Sequence, residues 1–490
     1  MALFSRIRGS IPFLFVATAL LLALPLACGR EGETVRVDRS NVRTGGPTTP
    51  EVGPAAPKGE PNVILILADD LDRTVYYRSS LDSVWTPEGT SFTNALATTS
   101  LCCPSRASIF RGQYAHNTGL VNNINEEPGG GARFFRRSGL EDDTLATLLQ
   151  GGGYETWFGG KYLNGYEDAG GWLGYVPPGW DGWQAYLNDR TVNRDGTVVS
   201  PEGHYTDWLS GEAVRFIEDR QGSARPFFMQ ISAWDTHSPL RVPERHRDAY
   251  PHAHAPRPPS FNEADVSDKP DWVAEKSALR PEEIARFDRH QAARMRSALT
   301  LEDLCRNVVS ALSRTDQQDY TYVIFTSDNG YHMGLHRVRG AKWTPYTEAH
   351  EIPFAVRGPG VPHGRSFDDL VTNTDIAPTV LDLAGLSAPE WMDGSSFAPF
   401  LDGTAPETWR SSVLIEGVKG TYYERPAYSG VRREDEVYVE YDSGDKEHYD
   451  LVKDPYQLVN RPEAAPRSME EDLGALKGCS GDACRRAEGF

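Results

Sequence analysis

Asn62-Val-Ile-Leu-Ile-Leu-Ala68-Asp69-Asp70 sets an unbroken apolar run against two adjacent carboxylates. A run that is apolar at every position leaves no face for water, so it is expected as a strand buried on both sides, as in a parallel sheet. Tyr320-Thr-Tyr-Val-Ile-Phe-Thr326 repeats the pattern, and Pro226-Phe-Phe-Met-Gln-Ile-Ser232 repeats it more weakly. Helical periodicity lies around and between these runs, over residues 144–150, 208–218 and 282–312. Strands alternating with helices predict an α/β domain over residues 61–385, with a large, mostly parallel sheet flanked by helices. Shorter strand patterns at 412–416, 427–432 and 437–441 predict a smaller antiparallel sheet in a second domain, 386–490. Residues 240–281, rich in Pro, His and charge, read as a long loop.

Upstream of the first strand the texture differs. Arg6 and Arg8 precede an apolar stretch from Ile11 to Ala27, the pattern of a secretory leader over residues 1–27. Leu24-Pro25-Leu26-Ala27-Cys28 resembles a bacterial lipoprotein cleavage box with Cys28 as the lipidated residue, although Pro25 departs from it. Lipid anchoring, plain secretion and a retained anchor are the three readings. Residues 28–60 hold many Pro and Gly and little to bury, so they are expected as a disordered tether. Export to a bacterial surface, periplasm or medium agrees with the absence of any Asn-x-Ser/Thr acceptor. Cys479 and Cys484, five positions apart, fit a small disulfide loop in an exported chain; two reduced thiols are the alternative.

The 490 residues are 39% hydrophobic and carry a formal charge of −19. That composition suffices for a globular core and excludes disorder across the whole chain. The acidic balance argues against a nucleic-acid partner, and it requires local cations wherever an anion is to be held.

Asp69 and Asp70 follow one buried run, and Ser327-Asp328-Asn329-Gly330 follows another. Alone, the first is compatible with a helix cap and the second with a turn. Together they bring three carboxylates and an amide oxygen to strand ends, where α/β sheets build their sites. Hard oxygen donors in that number suit Ca²⁺, with Mg²⁺ second, and do not suit Zn²⁺.

Ser100-Leu-Cys102-Cys103-Pro104-Ser105-Arg106-Ala-Ser-Ile-Phe-Arg-Gly112 resembles the sulfatase signature, a Cys-x-Pro-Ser-Arg core closed by Gly. Gly160-Lys161-Tyr162-Leu163-Asn164, Thr236-His237-Ser238-Pro239, Lys342 and Tyr449-Asp450-Leu451 resemble further landmarks of that family, in the same order. Within it, Cys-Cys-Pro-Ser-Arg and Phe261-Asn-Glu-Ala-Asp-Val-Ser-Asp-Lys-Pro270 look like N-acetylglucosamine-6-sulfatases and heparan sulfate 6-O-sulfatases.

The resemblance implies an alkaline-phosphatase-like fold and hydrolysis of a sulfate ester on a saccharide such as 6-O-sulfated N-acetylglucosamine. It implies a formylglycine-generating enzyme that oxidises Cys102, whose hydrate would attack sulfur with one hydroxyl and expel sulfate with the other. Asp69, Asp70, Asp328, Asn329 and modified Cys102 are then the calcium ligands. Arg106, four residues on and on the same helical face, orients the diol. Lys161 and Lys342 bind sulfate oxygens, and His237 protonates the leaving oxygen. Leu163 stands where many sulfatases have a His, which leaves the second base open; His116 is the candidate. His332 and His336 are candidates for reaching the substrate, and Asn122, Asn123 and Asn164 for sugar hydroxyls. Alternatives are a phosphodiesterase or phosphonate monoester hydrolase of the same fold, and a broad arylsulfatase. A glycan-binding surface protein without turnover would have lost the nucleophile or ligands, and all are present.

Overall fold

A computed structural model describes residues 59–168, 174–188, 190–340, 342–418 and 425–490. The leader, Cys28 and the tether as far as residue 58 lie outside the described residues.

Among the described residues, fourteen strands form two sheets. The larger holds β1 (Asn62–Ala68), β2 (Thr90–Leu96), β3 (Glu155–Gly160), β4 (Gly182–Tyr186), β5 (Val192–Arg194), β6 (Thr197–Val199), β7 (Phe227–Ser232), β8 (Thr321–Ser327), β9 (Phe354–Arg357) and β10 (Arg365–Thr372). Their order is β10-β2-β9-β8-β1-β7-β3-β4-β5-β6. β1 runs parallel to β7 and β8, and β3 runs parallel to β7 and β4. β9 is antiparallel to both its neighbours, and β4, β5 and β6 form an antiparallel edge. The sheet is thus mixed and mostly parallel, as the apolar runs predict.

β1 shows why its sequence carries no polar alternation. Ile64, Ile66 and Ala68 face one core, filled by helices Tyr205–Asp219 and Pro281–Arg314. Val63, Leu65 and Leu67 face another, filled by helices Cys102–Arg111, Leu145–Gly151 and Ile376–Leu383. Each large aliphatic side chain buried this way contributes roughly 1.5–3 kcal/mol. Both predicted helices beyond residue 200 exist and extend past their expected ends, the longer one with a capped first turn. Glu283 accepts the Arg280 N–H at 2.9 Å and closes the first turn of the long helix.

The separate sheet is antiparallel, in the order β11 (Val413–Gly417), β12 (Tyr428–Arg432), β13 (Glu436–Tyr441) and β14 (Lys446–Asp450). Helix Arg467–Leu476 covers it through Met469, Leu473 and Leu476, and Cys479 is disulfide-bonded to Cys484. Helix Asp482–Glu488 then buries Glu488 beside Arg410, which also makes two hydrogen bonds to Asp375 at 2.6 and 2.8 Å.

Candidate active site

Four neighbouring strands, β8, β1, β7 and β3, end together at one edge of the sheet. Their next residues are Asp328 and Asn329 after β8, Asp69 and Asp70 after β1, the turn to His237 after β7, and Lys161 after β3. The register aligns them, since Ala68 pairs with Ser327 and Gly160 with Ser232. Only glycine fits at 160: its φ is +108°, and a Cβ there would meet the Ser232 carbonyl oxygen at 1.9 Å. That close approach lets Lys161 emerge beside β7. The Asp70 N–H donates to Asp328 Oδ1 at 3.1 Å, which ties the two strand ends together.

The motif helix Cys102–Arg111 points its first residue at this edge. Cys102 therefore sits at a helix N-terminus, where backbone N–H groups favour negative charge. Its Sγ lies 2.7 Å from Lys342 Nζ and 3.6 Å from Asp69 Oδ1. Arg106, fully buried one turn on, donates from Nε to Asp328 Oδ2 at 2.8 Å and from Nη1 to the Lys161 carbonyl at 2.7 Å. Lys161 donates to Asp69 and Lys342 to Asp70. His237 Nε2 lies 3.8 Å from Asp70 Oδ2, with 24% of its side chain exposed.

The electrostatics follow from burial and pairing. Burial opposes ionisation of Asp69 and Asp70, but Lys161 beside the first and Lys342 beside the second hold both below the usual carboxylate range. Asp328 is pushed up to about 6 by burial and by Asp69, against the pull of Arg106. Burial pushes the Cys102 thiol up to about 12 even with two lysines beside it, so the unmodified side chain is a neutral thiol and a poor nucleophile. His237 is pushed down by burial, with Asp69 pulling the other way.

This acid-rich cluster could hold a metal ion. One ligand atom each from Asp69, Asp70, Cys102 and His237 lies within 4.8 Å of the others. Asn329 Oδ1 and Arg106 Nη2 are buried with no hydrogen-bond partner, the kind of cost that an ion and an anionic ligand would remove. Three carboxylates face three cationic side chains here, so a bound dication leaves an excess of positive charge for an anion.

Not every expected residue joins the cluster. His116 is corrected: its Nδ1 pairs with Glu416 at 3.2 Å and its Nε2 with the Cys479 carbonyl at 3.0 Å. The ten-residue motif helix, about 15 Å long, carries the chain away from Cys102 before residue 116 is reached. Burial lowers the His116 pKa most, but the hydrogen bond to Glu416, the Glu416 charge and the Cys479 carbonyl together outweigh it and raise the pKa overall above 6.5. Its contribution to stability is therefore full below the unfolded value and fades as pH rises through the raised one. His116→Ala is expected to leave turnover per folded molecule within about threefold, since the residue is remote from the reacting atoms. The difference in melting temperature from the parent should shrink from pH 6 to pH 9; a pH-independent difference would contradict the pairing.

Leu163, where a His was missed, packs among Phe110, Tyr162, Tyr166 and Trp183. Asn123 is taken up by the Cys103 N–H at 2.8 Å, and Asn122 by Glu127. His332 is buried on Thr344, and His336 on Glu263. Three neighbours escaped the sequence. Arg294, on the long helix, donates to the Asp70 carbonyl and to Asp72. Trp234 stands edge-on to His237, with Lys161 Nζ 5.4 Å from its ring centre. Asn373 donates to Ser105 Oγ at 2.9 Å.

Residues 61–386 match the family model described as Sulfatase, and residues 336–471 match one described as N-sulphoglucosamine sulphohydrolase, C-terminal. The chain is 33% identical to an N-acetylglucosamine-6-sulfatase of Capra hircus, over 89% of this chain and 87% of that protein. Among solved structures it is similar to one described as a complex with its substrate D-glucosamine-2-N,6-O-disulfate, with TM-score 0.71, 21% identity, and coverage of 85% and 96%. It is also similar to the phosphonate monoester hydrolase of Agrobacterium radiobacter, with TM-score 0.62, 23% identity, and coverage of 83% and 92%. At these identities the two structures speak for the fold alone.

Proposed function

The chain belongs to the sulfatase family and is a sulfuric ester hydrolase, and from that premise we propose that it removes 6-O-sulfate from a terminal N-acetylglucosamine-type sugar of a glycan. The observation that supports this reading is the cluster of buried Cys102, Arg106, Lys161 and Lys342 with half-buried His237 around the oxygens of Asp69, Asp70, Asp328 and Asn329. Calcium held by those four residues and residue 102 would supply Lewis-acid polarisation of a sulfate oxygen. Conversion of Cys102 to formylglycine by a formylglycine-generating enzyme would supply a hydrated aldehyde in place of the inert thiol.

This chain's residues do the rest. Arg106, fixed by Asp328 and the Lys161 carbonyl, orients residue 102. Lys161 and Lys342 present compact charges to the sulfate oxygens. His237, partly open to solvent, holds the proton for the leaving alkoxide. His237→Ala should cost about 10²–10⁴-fold on a sugar sulfate, whose alkoxide leaves poorly. On a nitrophenyl sulfate, whose phenolate needs no proton, the loss should be small; equal losses on both would exclude His237 as the acid.

The acidic chain, −19 overall, carries no uninterrupted basic block to hold a long polyanion, which favours a terminal over an internal site. The leader pattern and the Cys28 box support export with a lipid anchor in a bacterial cell. Among the described residues no helix is long and apolar enough to cross a membrane. The test is paired turnover on 6-O-sulfated N-acetylglucosamine, sulfated heparan oligosaccharides, an aryl sulfate and a phosphonate monoester. Release of sulfate from the terminal sugar is expected. Faster phosphonate hydrolysis, or internal desulfation of long chains with terminal sulfate left intact, would overturn the reading.

A further inference from the structure

The Phe261–Pro270 motif has no place in the reaction, yet it builds a second buried charged group. Glu263 and Lys269 are buried, and His336 is fully so. His336 Nδ1 meets Glu263 Oε2 at 2.6 Å. Lys269 Nζ lies 3.7 Å from Glu263 Oε1 and donates to the Leu458 carbonyl at 2.7 Å. Burial pushes His336 down to about 3, so it is uncharged at neutral pH, and burial pushes Glu263 up to about 7 against the pull of Lys269. Three such groups are costly to bury, and removing one leaves the others uncompensated.

What they hold is the segment that bears Lys342. His336 and Arg337 have φ of 48° and 59°, a left-handed conformation that non-glycine residues keep only where their surroundings over-determine it. The surroundings here come from the motif. The His336 N–H donates to the Ser260 carbonyl at 2.7 Å, and Arg337 donates to the Glu263 and Ala264 carbonyls at 2.8 and 2.7 Å. The His336 ring lies against Tyr346, centres 4.1 Å apart, and the Tyr346 hydroxyl donates to Glu447 at 3.1 Å. Lys342 is carried between these two rings, with its Nζ 2.7 Å from Cys102 Sγ. On the nucleophile's side, the Trp343 N–H donates to the Ser100 carbonyl at 2.9 Å.

We propose that Glu263, clasped to Lys269 and His336, is a positioning residue that sets the Lys342 ammonium against residue 102 and the bound sulfate. The proposal rests on Lys342 binding a sulfate oxygen. Glu263 bonds to His336, Lys269 and Arg337 and acts through the His336–Tyr346 contact that closes the segment.

A double-mutant cycle on the full-length modified enzyme, read as kcat/KM on the sulfated sugar, tests this. Glu263→Ala should lower it about 10–100-fold, the scale of a misplacement near 1 Å. In a Lys342→Ala background the same change should cost less than about threefold, because the group it positions is gone. Glu263→Gln, which can still bond His336, should retain most activity. His336→Ala run through the same cycle gives a second reading should Glu263→Ala fail to fold. Full activity of Glu263→Ala, or equal losses with and without Lys342, would overturn the proposal alone. Full activity of Lys342→Ala by itself would overturn it together with the site assignment beneath it.

Discussion

Cys102→Ala should abolish turnover, by about 10³–10⁶-fold, the range seen when a nucleophile is removed while binding groups remain. Sγ touches Lys342 and faces Asp69, so the substitution leaves the charged cluster in place while deleting the one atom that modification would change. Folding should survive. Cys102 is buried, and trimming it to Ala removes one side-chain atom while Lys342 keeps its pairing with Asp70. The melting temperature should stay within a few degrees of the parent, on the order of 1 kcal/mol for a small cavity. Peptide mass spectrometry of the active parent should find sulfur lost at position 102. Full activity from protein whose Cys102 is an intact thiol would refute the mechanism.

Removal of the metal should have the next largest effect. Lewis-acid stabilisation is worth several kcal/mol, and each 1.4 kcal/mol is tenfold, so chelation should cost at least about 10³-fold. Calcium should restore the activity. Asp328→Asn should behave like the chelated enzyme and resist rescue, because it removes the carboxylate charge and its one remaining oxygen can serve only one of Arg106 Nε and the Asp70 N–H. Elemental analysis should find an alkaline-earth ion; stoichiometric zinc without one would contradict the oxygen-donor assignment.

The strands plainest in the sequence are those apolar on both sides, while β11, β12 and β13 are legible as shorter patterns. β1 and β8 announce themselves; β2 does not. Its Thr-Ser-Phe-Thr-Asn-Ala-Leu sequence looks like loop, but Thr90, Ser91 and Thr93 hydroxyls donate to carbonyls at or beside β10, so polar side chains are buried at little cost. β14 is hidden for a similar reason: Glu447 is buried because the hydroxyls of Tyr346, Tyr441 and Tyr449 all donate to it.

Within the site, Asp69, Asp70, Asp328 and Asn329 were legible because each lies within two residues of a recognisable strand end. Arg294 was not. It sits on a helix whose other arginines are mostly surface charges, and its partner Asp70 is 224 positions away. His116 misled because nearness in sequence was taken for nearness in space, and a straight helix converts ten residues into distance.

The burial of Cys102 also sets a deadline on biosynthesis. Its side chain is sealed by Lys342, 240 positions further along the chain, and by Arg106, which Asp328 locks in place. Any enzyme that oxidises Cys102 must therefore reach it while the nascent polypeptide is still open, before β8 docks beside β1. A molecule that folds too early keeps its thiol behind a closed door, correctly shaped and without its reactive group. With the proposed modification, the yield of active enzyme would be decided by a race between folding and oxidation, and overexpression that outran the oxidising enzyme would enrich the sample in well-folded, inert copies.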